Sequence, residues 1–238
     1  LVRACNKAIA MLKETAAKAL LVDPDHLDYD GQRVFLKHDP DLGLPIQRLI
    51  HGYITETGIT IGDVVHTTSD ARLPRYSNPD ADGRGGLGVE YTFGAQACQI
   101  RIEKKTGKIL IDHFASSFDV GTVINPKQIR GQIAGGVMIG LGASLHEEIK
   151  YDADGKILNP SFGKYRFPNI KDAPGKQTID CVENPGEVGP FGARGIGEHP
   201  VVGVAPAVVN AIQDAIGIDF YEIPVTPEKV LAALAAKK

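Results

Sequence analysis

Cysteine is scarce in this 238-residue sequence: Cys5, Cys98 and Cys181 stand alone and far apart. An iron–sulfur cluster needs about four thiolates at characteristic spacing, so none is expected on this chain. The three cysteines and seven histidines form no close ligand set, which argues against zinc. No apolar run reaches the roughly 18 residues that span a bilayer, and no secretory leader opens the sequence. The expectation is therefore a cytoplasmic protein without disulfides and without a membrane partner. Net charge is −3 and no basic stripe stands out, so nucleic acid is not an expected partner. Internal repeats and low-complexity segments are lacking too.

What is present is ordinary for a globular chain: 43% apolar and 23% charged residues, enough for one large core or two small ones. Leu1 to Val22 has helical periodicity and starts without Met or a capping residue, which suggests part of a larger subunit. A hairpin is expected at His26–Tyr29 and Arg33–His38, a short helix at Leu44–Thr55 and a strand at Ile61–Thr68. Asp70–Gly88 reads as a long surface loop, with Arg72, Arg75 and Arg84 solvated or lining a substrate or subunit surface. Long strands follow at Tyr91–Glu103 and Lys108–Val120, then a helix from Pro126 to about Ser144. Strands are expected at Leu145–Tyr151, Gln177–Val182 and Asp219–Ile223, with helices ending near Ile216 and starting at Thr226. Strands grouped in hairpins argue for an α+β fold with mixed or antiparallel sheets and packed helices.

Two segments could carry chemistry. Between Gly189 and Pro200, four glycines and two prolines surround one acid, Glu198, at the start of a helix. Such glycine density lets backbone come close to something bulky. Spacing alone leaves Glu198 either a dipole-compensating helix acid or a base kept ionised. The helix from Pro126 contains Gly131, Gly135, Gly136, Gly140 and Gly142. Relative to alanine these five forgo about 4–5 kcal/mol of helix propensity. Either tight helix packing or close approach of a large flat ligand would justify them.

These segments resemble the xanthine dehydrogenase / aldehyde oxidoreductase family, the molybdenum hydroxylases. The matching motifs are Gly195-Ile196-Gly197-Glu198, Ala205-Pro206-Ala207-Val208-Val209-Asn210, Phe93-Gly94-Ala95-Gln96, Asp119-Val120-Gly121 with Asn125-Pro126, and Gly131-Gln132-Ile133-Ala134-Gly135-Gly136. The match is close from Leu87 to Leu234 and loose before that. It implies the C-terminal part of a molybdopterin-binding subunit: 1–86 a loosely matched N-terminal segment, 87–238 the region with the catalytic glutamate. It also implies hydroxylation of an aldehyde or N-heterocycle with water as oxygen source, Glu198 being the general base. Gln132, Gly131, Gly195, Ile196 and Gly197 are then cofactor-binding, with Gln132 hydrogen-bonded to the pterin. The implied cofactor is molybdopterin, the cytosine dinucleotide form being one option, with 2Fe-2S and FAD on other domains or subunits. The implied partners are the N-terminal half of the molybdenum subunit, iron–sulfur and flavin subunits, and a small-molecule substrate. The glycine turn resembles the aldehyde oxidoreductase branch more than the xanthine branch.

Two positions depart from the family pattern. Ile139 stands where many members have a second glutamine, and His199 replaces a proline or apolar residue; the expectation for His199 is a solvent-facing ring. Arg194 reads as a surface cation and Asp119 as a turn-holding acid. A structural or assembly module with no turnover of its own is the alternative reading. A phosphate cradle at Gly192–Gly197 is a third, though no convincing parallel strand precedes it.

Overall fold

The computed structural model describes residues 1–70, 76–88 and 90–237, so Arg72 and Arg75 lie outside the described residues. The chain forms two compact units, Leu1–Leu73 and Pro74–Lys238.

In the first unit, helix α1 (Val2–Leu20) ends where Leu21 turns to φ 58° and the Val22 N–H reaches back to the Ala17 carbonyl at 3.0 Å. Its Leu12, Ala16 and Ala17 are buried with Leu27, Val34, Leu44 and Leu49. Strands β1 (Leu27–Tyr29), β2 (Arg33–Leu36) and β3 (Asp39–Pro45) form an antiparallel sheet, and β4 (His51–Ile54) pairs with β5 (Thr60–Val64). The helix expected over Leu44–Thr55 is absent. Pro45 is extended at φ −67°, ψ 145°, and Gly52 adopts φ +84°, so the helical repeat is broken at both ends. Only a 3-10 turn at Ile46–Arg48 survives between β3 and β4.

The second unit is built on β6 (Gly94–Glu103), β7 (Lys108–Asp119) and β8 (Lys176–Val182). Strand β7 is central, antiparallel to β6 and parallel to β8. Four helices complete it: α2 (Pro126–Leu145), α3 (His199–Val202), α4 (Val204–Ile216) and α5 (Pro227–Ala236). Asn125 caps α2 by accepting from the Gln128 N–H at 3.1 Å, and Pro126 takes the first helical position, where no N–H is needed. The apolar faces of α2 and α4 meet β7 in one core that includes Phe114, Val137, Leu141, Val204, Val208 and Ile212. At about 25 cal/mol per Å² of apolar surface, this burial is the main stabilising contribution. The expected α+β class holds. Segments 145–151 and 219–223 are not strands: Leu145 is still the last buried residue of α2, and Tyr151 makes one isolated bridge to Ile157. Among the described residues no helix is long and apolar enough to cross a membrane.

Candidate functional site

The glycine turn is knitted to the end of β7 by backbone bonds. Gly121 and Ala193 form a bridge, Arg194 N–H donates to the Val120 carbonyl at 2.9 Å, and Thr122 N–H to the Gly192 carbonyl at 3.1 Å. Gly121 (φ +66°) and Gly192 (φ +79°) supply left-handed conformations that side chains disfavour. Three acids accept backbone N–H groups around the turn. Glu90 takes those of Glu187 and Val188 at 2.7 and 3.1 Å, Glu183 that of Val123 at 2.9 Å, and Asp119 that of Gly121 at 3.0 Å.

Arg194 is no surface cation. It is partly buried, with Nη1 donating to Asp119 Oδ2 at 2.6 Å and to the Tyr91 carbonyl at 3.3 Å. Asp119 holds the turn as expected. The Gly121 N–H, and after it the Arg194 charge, keep the Asp119 carboxyl below the ordinary carboxylate range against the opposing effect of desolvation. Arg194 Nε is buried and has no partner among the described residues.

Gln132, on α2, reaches across to the turn and donates from Nε2 to the carbonyl of Gly197. A carbonyl only accepts, so the amide nitrogen must face it and Oε1 is left as the free acceptor. The glutamine and the peptide immediately before Glu198 therefore meet, although they are 65 residues apart in sequence. Both line a cleft of about 340 Å³ with Val120, Asn125, Gln128, Arg194 and Ile196. Beneath it Ile196 packs on buried Phe118, Val120 and Ile133, which anchors the turn from below.

Glu198 itself is exposed beside this cleft, as the residue preceding α3. Its carboxylate makes no capping bond, and among the described residues it has no ion-pair partner. Gly195 lies in the turn with His199 Cε1 3.9 Å from where a Cβ would sit. His199 is half-buried rather than solvent-facing. It lines a smaller opening of about 240 Å³ with Gln96 and Gly203, and its Nδ1 is buried without a partner among the described residues. A further cavity, about 750 Å³, lies between β6, β7 and the start of α5 beside His146 and Asp172, and no candidate residue lines it.

The helix glycines divide into two sets. A Cβ on Gly136 would come within 2.6 Å of Pro200, one on Gly140 would strike Val204, and one on Gly142 would strike Glu147 and Pro168. Those three are required by packing. Gly131 and Gly135 on α2, and Gly197 in the cleft lining, have nothing within 4 Å of where a Cβ would sit. Open backbone at Gly197, a free glutamine oxygen and, among the described residues, an unpartnered buried guanidinium donor suit a flat, polar-edged group such as a pterin. Ile139 is exposed on the same helix.

Cys98 and Cys181 are not poised as thiolates. Cys98 donates to the Ala207 carbonyl at 3.2 Å, and burial pushes its thiol up to about 11. Burial raises Cys181 too. Among the described residues no three His, Cys, Asp or Glu side chains gather as a metal-holding set.

Comparison with known proteins gives a consistent picture. The sequence profile of the molybdopterin cofactor-binding domain matches residues 1–174, which includes Gln132 and stops short of Glu198. The chain is 38% identical over 179 residues to the probable hypoxanthine oxidase XdhD of Escherichia coli K12, covering 75% of this chain and 17% of that protein. It is 37% identical over 158 residues to the aldehyde oxidoreductase of Megalodesulfovibrio gigas, 65% of this chain and 17% of that protein. The structure of a Cu,Mo-CO dehydrogenase in the carbon monoxide reduced state superimposes with a TM-score of 0.74 at 27% identity, over 98% of this chain and 28% of the other. The chain thus spans about a sixth of the curated relatives it matches.

Proposed function

Because the chain belongs to the molybdopterin cofactor-binding domain family, we propose that it is the catalytic-glutamate part of a molybdenum-dependent oxidoreductase. The reaction is hydroxylation of an aldehyde or N-heterocycle with water as oxygen source, with Glu198 as general base. The observation that supports this best is the meeting of Gln132 with the Gly197 carbonyl, which puts the acid at the rim of the cleft that the glutamine lines.

When bound, molybdopterin supplies a redox-active metal able to take two electrons from the substrate. The chain's own residues do the rest. Gly131, Gly135 and Gly197 leave room for the pterin to lie against backbone, and Gln132 Oε1 accepts from its N–H edge. Arg194 Nε suits the anionic tail of a dinucleotide form such as the cytosine one. Glu198, without a hydrogen bond or ion pair of its own among the described residues, is free to take a proton within hydrogen-bond reach. The 2Fe-2S and FAD groups belong to other domains or subunits, and the N-terminal half of the molybdenum subunit closes the cleft. Within that substrate class we favour an aldehyde, on the likeness of the Gly189–Ala193 turn to the aldehyde oxidoreductase branch.

The experiment is Glu198→Gln in the complete enzyme, which should abolish turnover with molybdenum and pterin still bound. A second reading, an assembly module inactive by itself, is favoured by apolar side chains around the site that stand open: Phe191, Val202, Tyr91 and Phe93 are 68–77% exposed. Molybdenum and pterin content of the purified chain separates the two. A chain that holds both by itself is not a mere module.

A further inference from the structure

The segment from Gly195 to Pro200 has little to fix it from within. Gly195 and Gly197 carry no side chain, Glu198 is exposed, and α3 is only four residues long, its Val201 N–H donating to the Glu198 carbonyl at 3.0 Å. The segment is instead gripped from outside. Thr92 Oγ1 donates to the Gly195 carbonyl at 3.1 Å, Gln132 Nε2 to the Gly197 carbonyl, and Gln96 Nε2 to the Pro200 carbonyl at 3.0 Å. These donors come from the approach to β6, from α2 and from β6 itself, and their acceptors flank Glu198 on both sides.

We propose that Thr92, Gln96 and Gln132 are positioning residues, a three-point clamp that sets where the Glu198 carboxylate stands; this rests on Glu198 being the base. Gln96 is the most telling member. Its nitrogen also donates to Ser116 Oγ at 3.2 Å, while its Oε1 is buried without a donor among the described residues and lies close to where a Cβ on Gly203 would sit. The one amide nitrogen therefore serves two acceptors, and an apolar side chain in its place would leave the Pro200 carbonyl and the Ser116 hydroxyl without that donor. What the glutamine fixes is the Pro200 carbonyl, two residues past Glu198. Holding the backbone on both sides of a reactive group is how a side chain is kept near its productive geometry without touching the substrate.

The test uses the complete enzyme with Gln96→Met, Thr92→Val and Thr92→Ser. Hydrogen exchange of the amides from 196 to 202 should quicken about three- to tenfold in the first two and stay native in Thr92→Ser, which keeps the hydroxyl. With molybdenum and pterin content unchanged, kcat should fall while KM holds. Exchange within twofold of the parent in both Gln96→Met and Thr92→Val overturns the clamp. Faster exchange with native kcat reduces the bonds to local structure and overturns the positioning role. Glu198→Gln keeps the two ideas apart. If it retains turnover while the clamp variants loosen the segment, the base reading fails and the grip stands; if it is inactive while exchange never changes, the reverse holds.

Discussion

On one side of α2, Gly136 and Gly140 lie where a methyl group would run into Pro200 and Val204; on the other, Gly131 and Gly135 look onto space empty for 4 Å. Both sides give up helix propensity, for opposite reasons. The closed side lets α2 approach α3 and α4 so nearly that their backbones share a core with Val137 and Leu141. Among the described residues nothing packs against the open side. A residue pattern that is uniform along the sequence therefore records one demand from folding and, on the proposed function, a second from the cofactor.

The comparison can be broken most strongly at the pair that holds the open side's loop. Asp119→Asn removes the counter-charge of the partly buried Arg194, and thermal unfolding of the assembled enzyme should show a loss of about 1.5–3 kcal/mol. The loss should depend on pH. The Asp119 carboxyl lies below the ordinary value of 3.8, so its contribution is complete above that value and disappears as pH falls through the lowered one. The gap between parent and variant should accordingly narrow below pH 3.8. An equal gap at every pH would mean that the carboxylate's charge is irrelevant to the loop.

Next in size is Gly140→Ala on the closed side. The added methyl meets Val204, and overpacking of this kind should lower stability by about 1–3 kcal/mol despite the better helix former. Smallest is Gly131→Ala or Gly135→Ala on the open side. Without a clash, each should raise stability by about 0.8–1.0 kcal/mol, yet lower the molybdenum and pterin recovered with the protein. Opposite signs for stability and cofactor content would sharpen the division. If both quantities rise, the open side serves no ligand.

Much of this was legible in the sequence because the signals are local. Pro126 after Asn125 marks the start of α2, Thr226 with Pro227 marks α5, and long alternating runs mark β6 and β7. Glu198 and Gln132 were each singled out by motif. What one dimension could not show is pairing at a distance. Arg194 reads as a surface cation until Asp119, 75 residues earlier, is placed against it. Thr92 went unnoticed, and Gln96 entered only as part of a matched motif with no role, because their acceptors lie 103 and 104 residues away. Over Leu44–Thr55 the error was one of period, since apolar residues there serve two short strands and the turn between them. Similarly, Leu145 closes the helix core as the last buried residue of α2, so the strand expected to start there does not form.

The account depends most on one proton acceptor at the rim of the cleft. Its sharpest trial is a single-turnover reaction of substrate with Glu198→Gln enzyme in which bound molybdenum and pterin are first measured and matched to the parent. The prediction is a fall in rate of roughly 10²–10⁴-fold or more, the range expected when a general base is removed. A rate within a few-fold of the parent at equal cofactor content would contradict it.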